Sequence, residues 1–341
     1  MKRYISIIAI MLFSVTVTSC LKHKELCYNH SEHAHRYHIN VIADYRTDWE
    51  ESYGIDWQQQ WPEGYVDYQS LRPSLPEGLR VVAYDKQGQE KTHNISTEGG
   101  VVTLFEGEND MLFYNNDTEY IVFSTNTDVT TRATTRATTR TRMRSTYLGS
   151  EYSNDGEPTL SSPDMLYAYY HPDYTPEKVV TPTDYEVTLQ PLVFTYKVRY
   201  EFKSGLEYVS KMRGALSGMA SSVLLNTGET SDETATLLYD CEMTDFGARA
   251  YVNSFGVPGF SGGEYTAQGN KHALNLEVLL RNGNILNFYW DITDQLSQQP
   301  HGGVIVIDGI EIPAEAGKQG SSGFDVSVND WGEYEDIVIP L

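Results

Sequence analysis

Residues 192–202 read LVFTYKVRYEF, and this stretch decides the fold class. From Phe194 to Phe202, aromatic or β-branched residues alternate with polar ones. An alternation of two residues places successive side chains on opposite faces of an extended chain. The pattern therefore predicts a β-strand with one buried face rather than a helix.

Strand patterns of the same kind recur on both sides of this stretch. They cover residues 37–45, 79–85, 119–124, 274–280 and 304–308. Gly, Asn, Asp and Pro residues bound them, and Asn282-Gly283 predicts a hairpin turn because both positions accept positive φ. Long helical periods are absent from the sequence. We therefore predict an all-β protein built from β-sandwiches.

The N-terminus has the layout of a secretory signal peptide. Lys2 and Arg3 precede an apolar run from Tyr4 to Phe13, which is too short to span a bilayer as a stable helix. The run is followed by Val17-Thr18-Ser19-Cys20, where a small residue precedes a cysteine. We predict a signal peptide over residues 1–19, followed by a lipid-attached tether over residues 20–36. Cys20 is the predicted lipidation site.

Charge and cysteine content limit the partners and the covalent structure. The formal net charge of −22 argues against binding to nucleic acid or to anionic lipid head groups. Apart from Cys20, the chain has only Cys27 and Cys241. These two could pair in an oxidising compartment, or Cys241 could be an inert thiol in an apolar strand.

The tether carries His23, His30, His33 and His35, with His38 just beyond it. Imidazoles two or three residues apart can converge on one zinc ion. A solvated leader peptide explains the same composition without a metal, and we favour that interpretation. We predict no metal site and no cofactor.

The Arg/Thr-rich stretch 130–146 differs from the acidic remainder of the chain. Its arginines are Arg132, Arg136, Arg140, Arg142 and Arg144. With few apolar side chains it cannot bury enough surface to order itself, so we predict an exposed loop within the first domain. Such a loop would be sensitive to trypsin-like proteases, or it could contact an acidic partner.

An aromatic-rich insertion lies between the first two strand patterns and contains Trp49, Trp57 and Trp61. These side chains could form a ligand surface that stacks on sugars or binds a partner. More often such aromatics cap one end of a sandwich, and we favour that interpretation.

The sequence offers little catalytic chemistry. It lacks the zinc-protease, phosphate-loop, calcium-loop and nucleophile-elbow motifs. Residues 214–218 are one residue away from a hydrolase elbow, and Asp48, Glu50 and Glu51 could imitate glycosidase acids, but carboxylates on a polar loop are usually solvated. We predict that the protein is not an enzyme, with a remote β-sandwich hydrolase as a minor alternative.

Several strand segments together carry a family resemblance. After Cys20 they are His38–Val41, Leu79–Asp85, Pro163–Ala168, Val187–Val193, Arg213–Ala220 and Phe324–Trp331. In order and spacing the chain resembles the fimbrillin-like lipoproteins of Bacteroidota. The likeness is greatest to the branch related to fimbrillin anchor subunits and a neighbouring domain family of unknown function.

The resemblance implies two tandem transthyretin-like β-sandwich domains, which we place at residues 37–183 and 184–341. It implies a pilus anchor, accessory subunit or cell adhesin that is attached by lipid to the outer membrane, at the cell surface. The implied partners are pilus subunits or another surface protein, joined by strand addition. The alternative function is carbohydrate binding through the aromatic insertion.

In stalk subunits of this family, an arginine-type protease removes the first strand and opens a groove for a strand of another subunit. The Arg-rich stretch of this chain lies between later strands instead, so cleavage there need not free a strand. The C-terminal run Glu335–Leu341 is the best candidate donor strand. The alternative, which we favour, is a closing strand paired within its own domain.

Overall fold

A computed structural model describes residues 35–46, 75–124, 131–135, 157–260 and 270–318. Most of these residues are extended, so the predicted all-β class is confirmed. The strands are β1 (Arg36–Tyr45), β2 (Leu79–Asp85), β3 (Glu90–Ile95), β4 (Gly99–Thr103), β5 (Asn109–Asn115), β6 (Ile121–Ser124), β7 (Arg132–Thr135), β8 (Thr159–Ser161), β9 (Tyr167–Tyr174), β10 (Lys178–Val179), β11 (Thr183–Pro191), β12 (Phe194–Ser204), β13 (Val209–Ala220), β14 (Ser222–Leu224), β15 (Thr234–Asp240), β16 (Glu242–Met243), β17 (Gly247–Ser254), β18 (Ala273–Leu280), β19 (Ile285–Asp291) and β20 (Gly303–Glu311).

In the described part of the chain, helices are few and short. A 3₁₀ turn covers Leu206–Tyr208, and two five-residue helices, α1 (Thr293–Ser297) and α2 (Ala314–Lys318), flank β20. Within the described ranges, no helix has the length and apolar character that a bilayer crossing requires.

The first sandwich contains β1–β5 and β9–β11. Its strands follow the order β10-β1-β11-β9-β5-β2-β3, and β4 pairs with β1. Since β9 and β11 pair only at Ala168–Gln190 and Tyr167–Pro191, the β4-β1-β11 layer separates from the β9-β5-β2-β3 layer. The two layers enclose one core. Its main members are Ile39, Val41, Leu79, Val81, Val102, Met111, Phe113, Tyr167, Val187 and Leu189.

The second sandwich packs the sheet β16-β17-β12-β20 against the sheet β19-β18-β13-β15-β8. The strand β12 is central, antiparallel to β17 and parallel to β20. Tyr196, Val198 and Tyr200 have no solvent exposure and face the core of this sandwich. The alternation in residues 192–202 thus predicted the strand and the face that meets this core, but Lys197 and Arg199 on the opposite face are also buried.

A third core joins the two sandwiches. In β2 and β5, the residues that alternate with the first core, Val82, Tyr84, Leu112 and Tyr114, are also buried. They pack against Val193, against Phe255 and against a small sheet, β14-β7-β6, that bridges the two sandwiches. The buried residues of this bridging sheet include Ile121, Ala133 and Val223. The strands β2 and β5 are therefore buried on both faces, which explains the continuous apolar runs Val81–Tyr84 and Met111–Tyr114.

The pairing of one segment differs from the expectation on which the predicted domain boundary was placed. Thr183–Pro191, which we expected to open the second domain, pairs with β1 in parallel and with β9, and so belongs to the first sandwich. Sheet membership changes at Leu192–Val193 instead. Before that point the chain has already contributed β7 to a pairing with β14 and β8 to a pairing with β15. The two sandwiches therefore interlock and are not simply consecutive.

The bridging sheet provides a stability test. Ala133 is fully buried in the third core, whereas Val122 on the adjacent strand is 38% exposed. Ala133→Asp should lower the free energy of unfolding by about 3–5 kcal/mol, because it buries a carboxylate without a partner. Val122→Asp, the matched control, should change it by less than about 1 kcal/mol. Urea unfolding measures both, and equal effects would mean that the bridging sheet does not hold this core closed.

Candidate assembly surfaces

Most of the predicted site residues lie outside the described part of the chain. This applies to Cys20, to the aromatic candidates Trp49, Trp57 and Trp61, and to the acidic candidates Asp48, Glu50 and Glu51. It also applies to Arg136, Arg140, Arg142 and Arg144, and to the C-terminal run Glu335–Leu341. Predictions about these residues stay predictions.

Arg132 corrects the predicted loop. Residues 132–135 form β7, which pairs with β6 on one side and β14 on the other. The guanidinium of Arg132 donates a hydrogen bond to Ser222 Oγ at 2.8 Å. Composition alone missed this strand because its stability comes from two neighbouring strands and the buried side chain of Ala133. The predicted loop can begin only after Thr135.

The histidine and cysteine candidates are only partly described. His35 is exposed before β1 and His38 lies on β1, while the other tether histidines fall outside the described ranges. In the described part of the chain, no group of three or more His, Cys, Asp or Glu residues is arranged to hold a metal. Cys241 lies between β15 and β16 and is partly buried against the second-sandwich core.

The stretch that approaches a hydrolase elbow is a bulged antiparallel strand. Ser217 is fully buried on β13, where its Oγ lies 3.1 Å from Thr236 Oγ1, whose proton is donated to Glu157. Ser217 Oγ also accepts a hydrogen bond from Asn275 Nδ2 at 3.4 Å. Gly218 has φ of +83°, and a Cβ there would lie 2.1 Å from Lys271 O. The glycine therefore serves the bulge between Leu216 and Met219, and Ser217 has no access to a substrate.

The strand β1 fills a slot between two other strands. It pairs in parallel with β11 from Ile39 to Tyr45 and in antiparallel fashion with β4 from His38 to Ile42. Ile39 and Val41 are each only 1% exposed, so the slot has an apolar floor. Such a slot binds an extended segment through main-chain hydrogen bonds on both sides and apolar side chains on one face.

Beside this slot, side chains cap the outer edge of β4. Leu104 N donates to Tyr37 O, and Ala43 N donates to Glu98 O, so the even-numbered residues of this segment bond to β1. The carbonyls of the odd-numbered residues Gly99 and Thr103 therefore point away from β1. Ser96 Oγ donates to Gly99 O at 2.7 Å, and His93 Nε2 lies 3.0 Å from Thr103 O. Strand edges that are capped in this way resist pairing with a strand of another chain.

Side-chain amides cap the outer edge of β20 in the same way. Gln299 Oε1 accepts a hydrogen bond from Val304 N at 2.5 Å, and Gln299 Nε2 donates to Val304 O at 3.0 Å. Gln295 Oε1 accepts from Val306 N at 3.3 Å. The primary amide of Gln299 thus takes the place of a peptide group from a neighbouring strand.

An aromatic cluster lies where β9 and β11 separate, and the sequence analysis did not single it out. It contains Phe113, Tyr169, His171, Tyr174 and Tyr185. The rings of Tyr174 and Tyr185 are 5.0 Å apart, and Tyr185 Oη lies 2.5 Å from His171 Nδ1. Burial, with a smaller contribution from Tyr169, raises the pKa of Tyr185, so its hydroxyl stays protonated. Half-buried tyrosines of this kind suit a contact surface.

A row of cations lies on the side of β12 and β17 away from the core, where neighbouring side chains bury Lys197 and Arg199. Lys197 and Arg199 alternate with the core residues of β12, and Arg249 forms a two-bond pair with Glu242, both bonds being 2.7 Å. Burial, and secondarily Arg249 and Arg199, lowers the pKa of Lys197 to about 8. The signal in the sequence is the alternation Lys197-Val198-Arg199 within a predicted strand.

The sequence matches a family described as a domain of unknown function, DUF5119, over residues 65–240, just over half of the 341 residues. The chain belongs to the DUF5119 family. The match runs from before β2 to the end of β15. It includes both interlocking pairings, β7 with β14 and β8 with β15.

A curated relative of this DUF5119 chain is named for a role in fimbriae. A Bacteroides ovatus protein provisionally named fimbrium anchoring subunit Fim4B is 24% identical over 193 residues, which are 56% of this chain and 55% of the relative. The chain thus spans about half of that relative's length. The family resemblance predicted from the sequence is confirmed.

Solved structures add the fold. A protein from Bacteroides ovatus, provisionally described as an adhesin, superposes with a TM-score of 0.58 at 20% identity, covering 82% of this chain and 93% of the other. The fimbrial anchor protein Mfa2 from Porphyromonas gingivalis is a weaker likeness, with a TM-score of 0.44 and 11% identity over 80% of this chain and 90% of the other. The first of these supports the DUF5119 chain's architecture.

Limited trypsin digestion tests the corrected loop of this DUF5119 chain. The first cut should follow Arg136, Arg140, Arg142 or Arg144 and not Arg132, because a paired strand resists a protease. The fragments should co-elute, since β6-β7-β14 and β8-β15 hold them together. A variant with glutamine at the four later arginines should lose the early cut. A first cut after Arg132, or separated fragments, would contradict this placement.

Proposed function

We propose that the chain is a non-enzymatic, lipid-anchored subunit of a surface fimbrium, serving as anchor, accessory subunit or adhesin. Its lipid is attached to Cys20, and its body lies at the cell surface, outside the outer membrane. The observation that carries the proposal is the 193-residue match to a relative provisionally named as a fimbrium anchoring subunit.

The architecture supports a mechanical role. A fimbrial subunit must transmit tension between its partners without unfolding. Here the chain crosses between the sandwiches through β6, β7 and β8 before returning to β9, so a third core must open before the sandwiches part. That arrangement suits a subunit under load better than two bodies on a flexible linker.

The strand arrangement supports assembly by strand addition. The slot of β1 has strands on both sides and an apolar floor, while side chains cap the edges of β4 and β20. A pilus partner that contributes an extended segment would therefore meet selected positions and not every sheet edge. The candidate donor strand is the C-terminal run Glu335–Leu341.

The buried polar groups around the bulge of β13 support a structural role rather than catalysis. Ser217, Thr236 and Glu157 form a buried cluster in which Glu157 also accepts a hydrogen bond from Gly218 N at 3.1 Å. These hydrogen bonds provide partners for the buried polar groups at the bulge of β13. Ser217 has no solvent exposure. A subunit of a fimbrium needs no cofactor, and none is part of the proposal.

Replacement of Cys20 tests the anchor. Cys20→Ala should move the protein from the membrane fraction to the soluble fraction, because removal of the acyl chains removes the proposed attachment. Cys27→Ala is the matched control and should leave the protein in the membrane. Immunoblots of fractionated cells measure both variants. If Cys20→Ala stays membrane-bound, lipid attachment at this position is wrong.

Deletion of Ile337–Leu341 tests the donor strand. The shortened chain should fold, judged by its thermal unfolding midpoint, yet fail to co-purify with fimbrial polymer, because a donor strand supplies main-chain hydrogen bonds to the partner and not to itself. Misfolding would instead identify the run as a closing strand of its own sandwich. A folded variant that still joins the polymer would exclude both roles.

A further inference from the structure

An open seam runs along the first sandwich between β9 and β11. These two strands pair at Ala168–Gln190 and Tyr167–Pro191, and among the described residues no pairing between them continues beyond that point. The strand β11 stays bonded to β1, and β9 stays bonded to β5. The two strands therefore diverge, and each presents one of its edges to the seam.

Main-chain hydrogen bonds show which residues of β11 face the seam. Leu192 N donates to Leu166 O, so the even-numbered residues of β9 and β11 are directed at each other. Arg46 N donates to Leu189 O, which shows independently that the odd-numbered residues of β11 bond to β1. The even-numbered peptide groups of β11 therefore point away from β1 and into the seam.

Asp184 and Glu186 supply the open part of this edge. In the described part of the chain, their peptide groups have no main-chain partner on the seam side. At the closed end of the seam, Gln190 Nε2 donates to Thr188 O at 3.3 Å and so covers the next position. Each open residue offers one N–H donor and one carbonyl acceptor to an added strand.

The floor of the seam is aromatic. Tyr185 lies between the two open residues and packs against the first core, where its ring is 5.0 Å from Tyr174 and 5.8 Å from His171. The ring of Phe113 stacks on Tyr185 from below at 6.1 Å. Tyr174, Tyr185 and His171 are partly exposed. An apolar side chain placed over these rings would remove apolar surface from water.

The opposite face of β11 is acidic. The side chains of Asp184 and Glu186 are exposed, and β11 contains no lysine or arginine. Asp184 Oδ1 accepts a hydrogen bond from the neutral amide of Asn40 at 2.7 Å, and Asp44 is exposed on the same face of β1. A basic side chain on a strand added to β11 would lie beside these carboxylates, as a favourable cross-strand pair.

We propose that the seam edge of β11 binds an extended segment of a partner protein in which apolar and basic residues alternate. The peptide groups of the segment bond to Asp184 and Glu186. Since successive side chains of a strand point to opposite faces, its apolar side chains cover Tyr174 and Tyr185, and its Lys or Arg side chains meet the carboxylates. This edge is separate from the slot that β1 fills. The inference deepens the proposed fimbrial role and rests on it for the kind of partner, another surface protein.

Peptide binding to the purified full chain tests the proposal without a fimbrium. The peptide Arg-Val-Arg-Val-Arg-Val has the required alternation. Arg-Arg-Arg-Val-Val-Val has the same composition and charge without alternation, and Glu-Val-Glu-Val-Glu-Val alternates with the opposite charge. Calorimetry should show that the first peptide binds at least about tenfold more tightly than either control, because only this peptide matches both faces of β11. Equal binding of the two arginine peptides would overturn the proposal, since net charge alone would then explain it.

Amide hydrogen exchange locates the bound peptide. The alternating arginine peptide should slow exchange of the Glu186 amide at least about tenfold, because that N–H becomes part of a strand ladder. The non-alternating arginine peptide, at the same concentration, should leave this exchange unchanged. If the alternating peptide binds and the Glu186 amide exchanges as fast as before, the seam is not its binding site and the proposal is wrong.

A charge reversal tests the acidic face separately. Glu186→Lys keeps the peptide group and should weaken binding of the alternating arginine peptide at least about fivefold, while it strengthens binding of the alternating glutamate peptide. Glu98→Lys is the matched control, because it makes the same change in net charge at the exposed turn before β4. Equal effects of the two variants would contradict the proposal. These outcomes do not depend on membrane fractionation of Cys20→Ala, so failure of the seam and failure of the lipid anchor are distinguishable.

Discussion

The β2-β5-β9 layer carries apolar side chains on both faces, and each face must be shielded from water by a different set of strands. One face closes the first sandwich against β1, β4 and β11. The other face needs the bridging sheet, which contains β14 from the second half of the chain. Burial of this layer therefore ties the two sandwiches together, and neither half of the chain completes its core alone. For a protein proposed to bear load, this shared burial makes separation of the sandwiches as costly as opening a core.

The second constraint is that open sheet edges must be protected, because most of the described part of the chain is in strands. Every sheet that is not closed offers main-chain donors and acceptors to other chains. Among the described strands, polar side chains cover two edges. Ser96 and His93 cover the edge of β4, and Gln295 and Gln299 cover the edge of β20. A protein that assembles through strands must leave selected positions open to its partners. Capping the remaining edges gives that selectivity at low cost, because a glutamine amide reproduces the hydrogen bonds of a peptide group.

Buried polar groups in this protein serve the strands rather than a reaction. Glu157 accepts hydrogen bonds from Thr236 and from the backbone of Gly218, at the bulge of β13. Tyr200 and Tyr239 bond to each other through their hydroxyls at 2.7 Å within the second core, where burial keeps both pKa values well above the ordinary range. Each group is satisfied by a neighbour in the sheet, as buried polar atoms must be, and Ser217 has no route to solvent. These contacts fix the geometry of a scaffold.

The sequence by itself determined the all-β class, the strand at Phe194–Ser204 with its buried face, the Asn282-Gly283 turn and the family resemblance. Alternation and turn chemistry are local properties, so a single sequence can reveal them. The structure alone decided that Thr183–Pro191 belongs to the first sandwich, that Arg132–Thr135 is a strand, and that Tyr185 meets His171. Each of these depends on partners far along the chain: β1 for β11, β14 for β7, and β9 for Tyr185. Long-range pairing leaves no period in the local sequence, and a short polar stretch such as Arg132–Thr135 becomes a strand only because its neighbours supply hydrogen bonds and a core for Ala133.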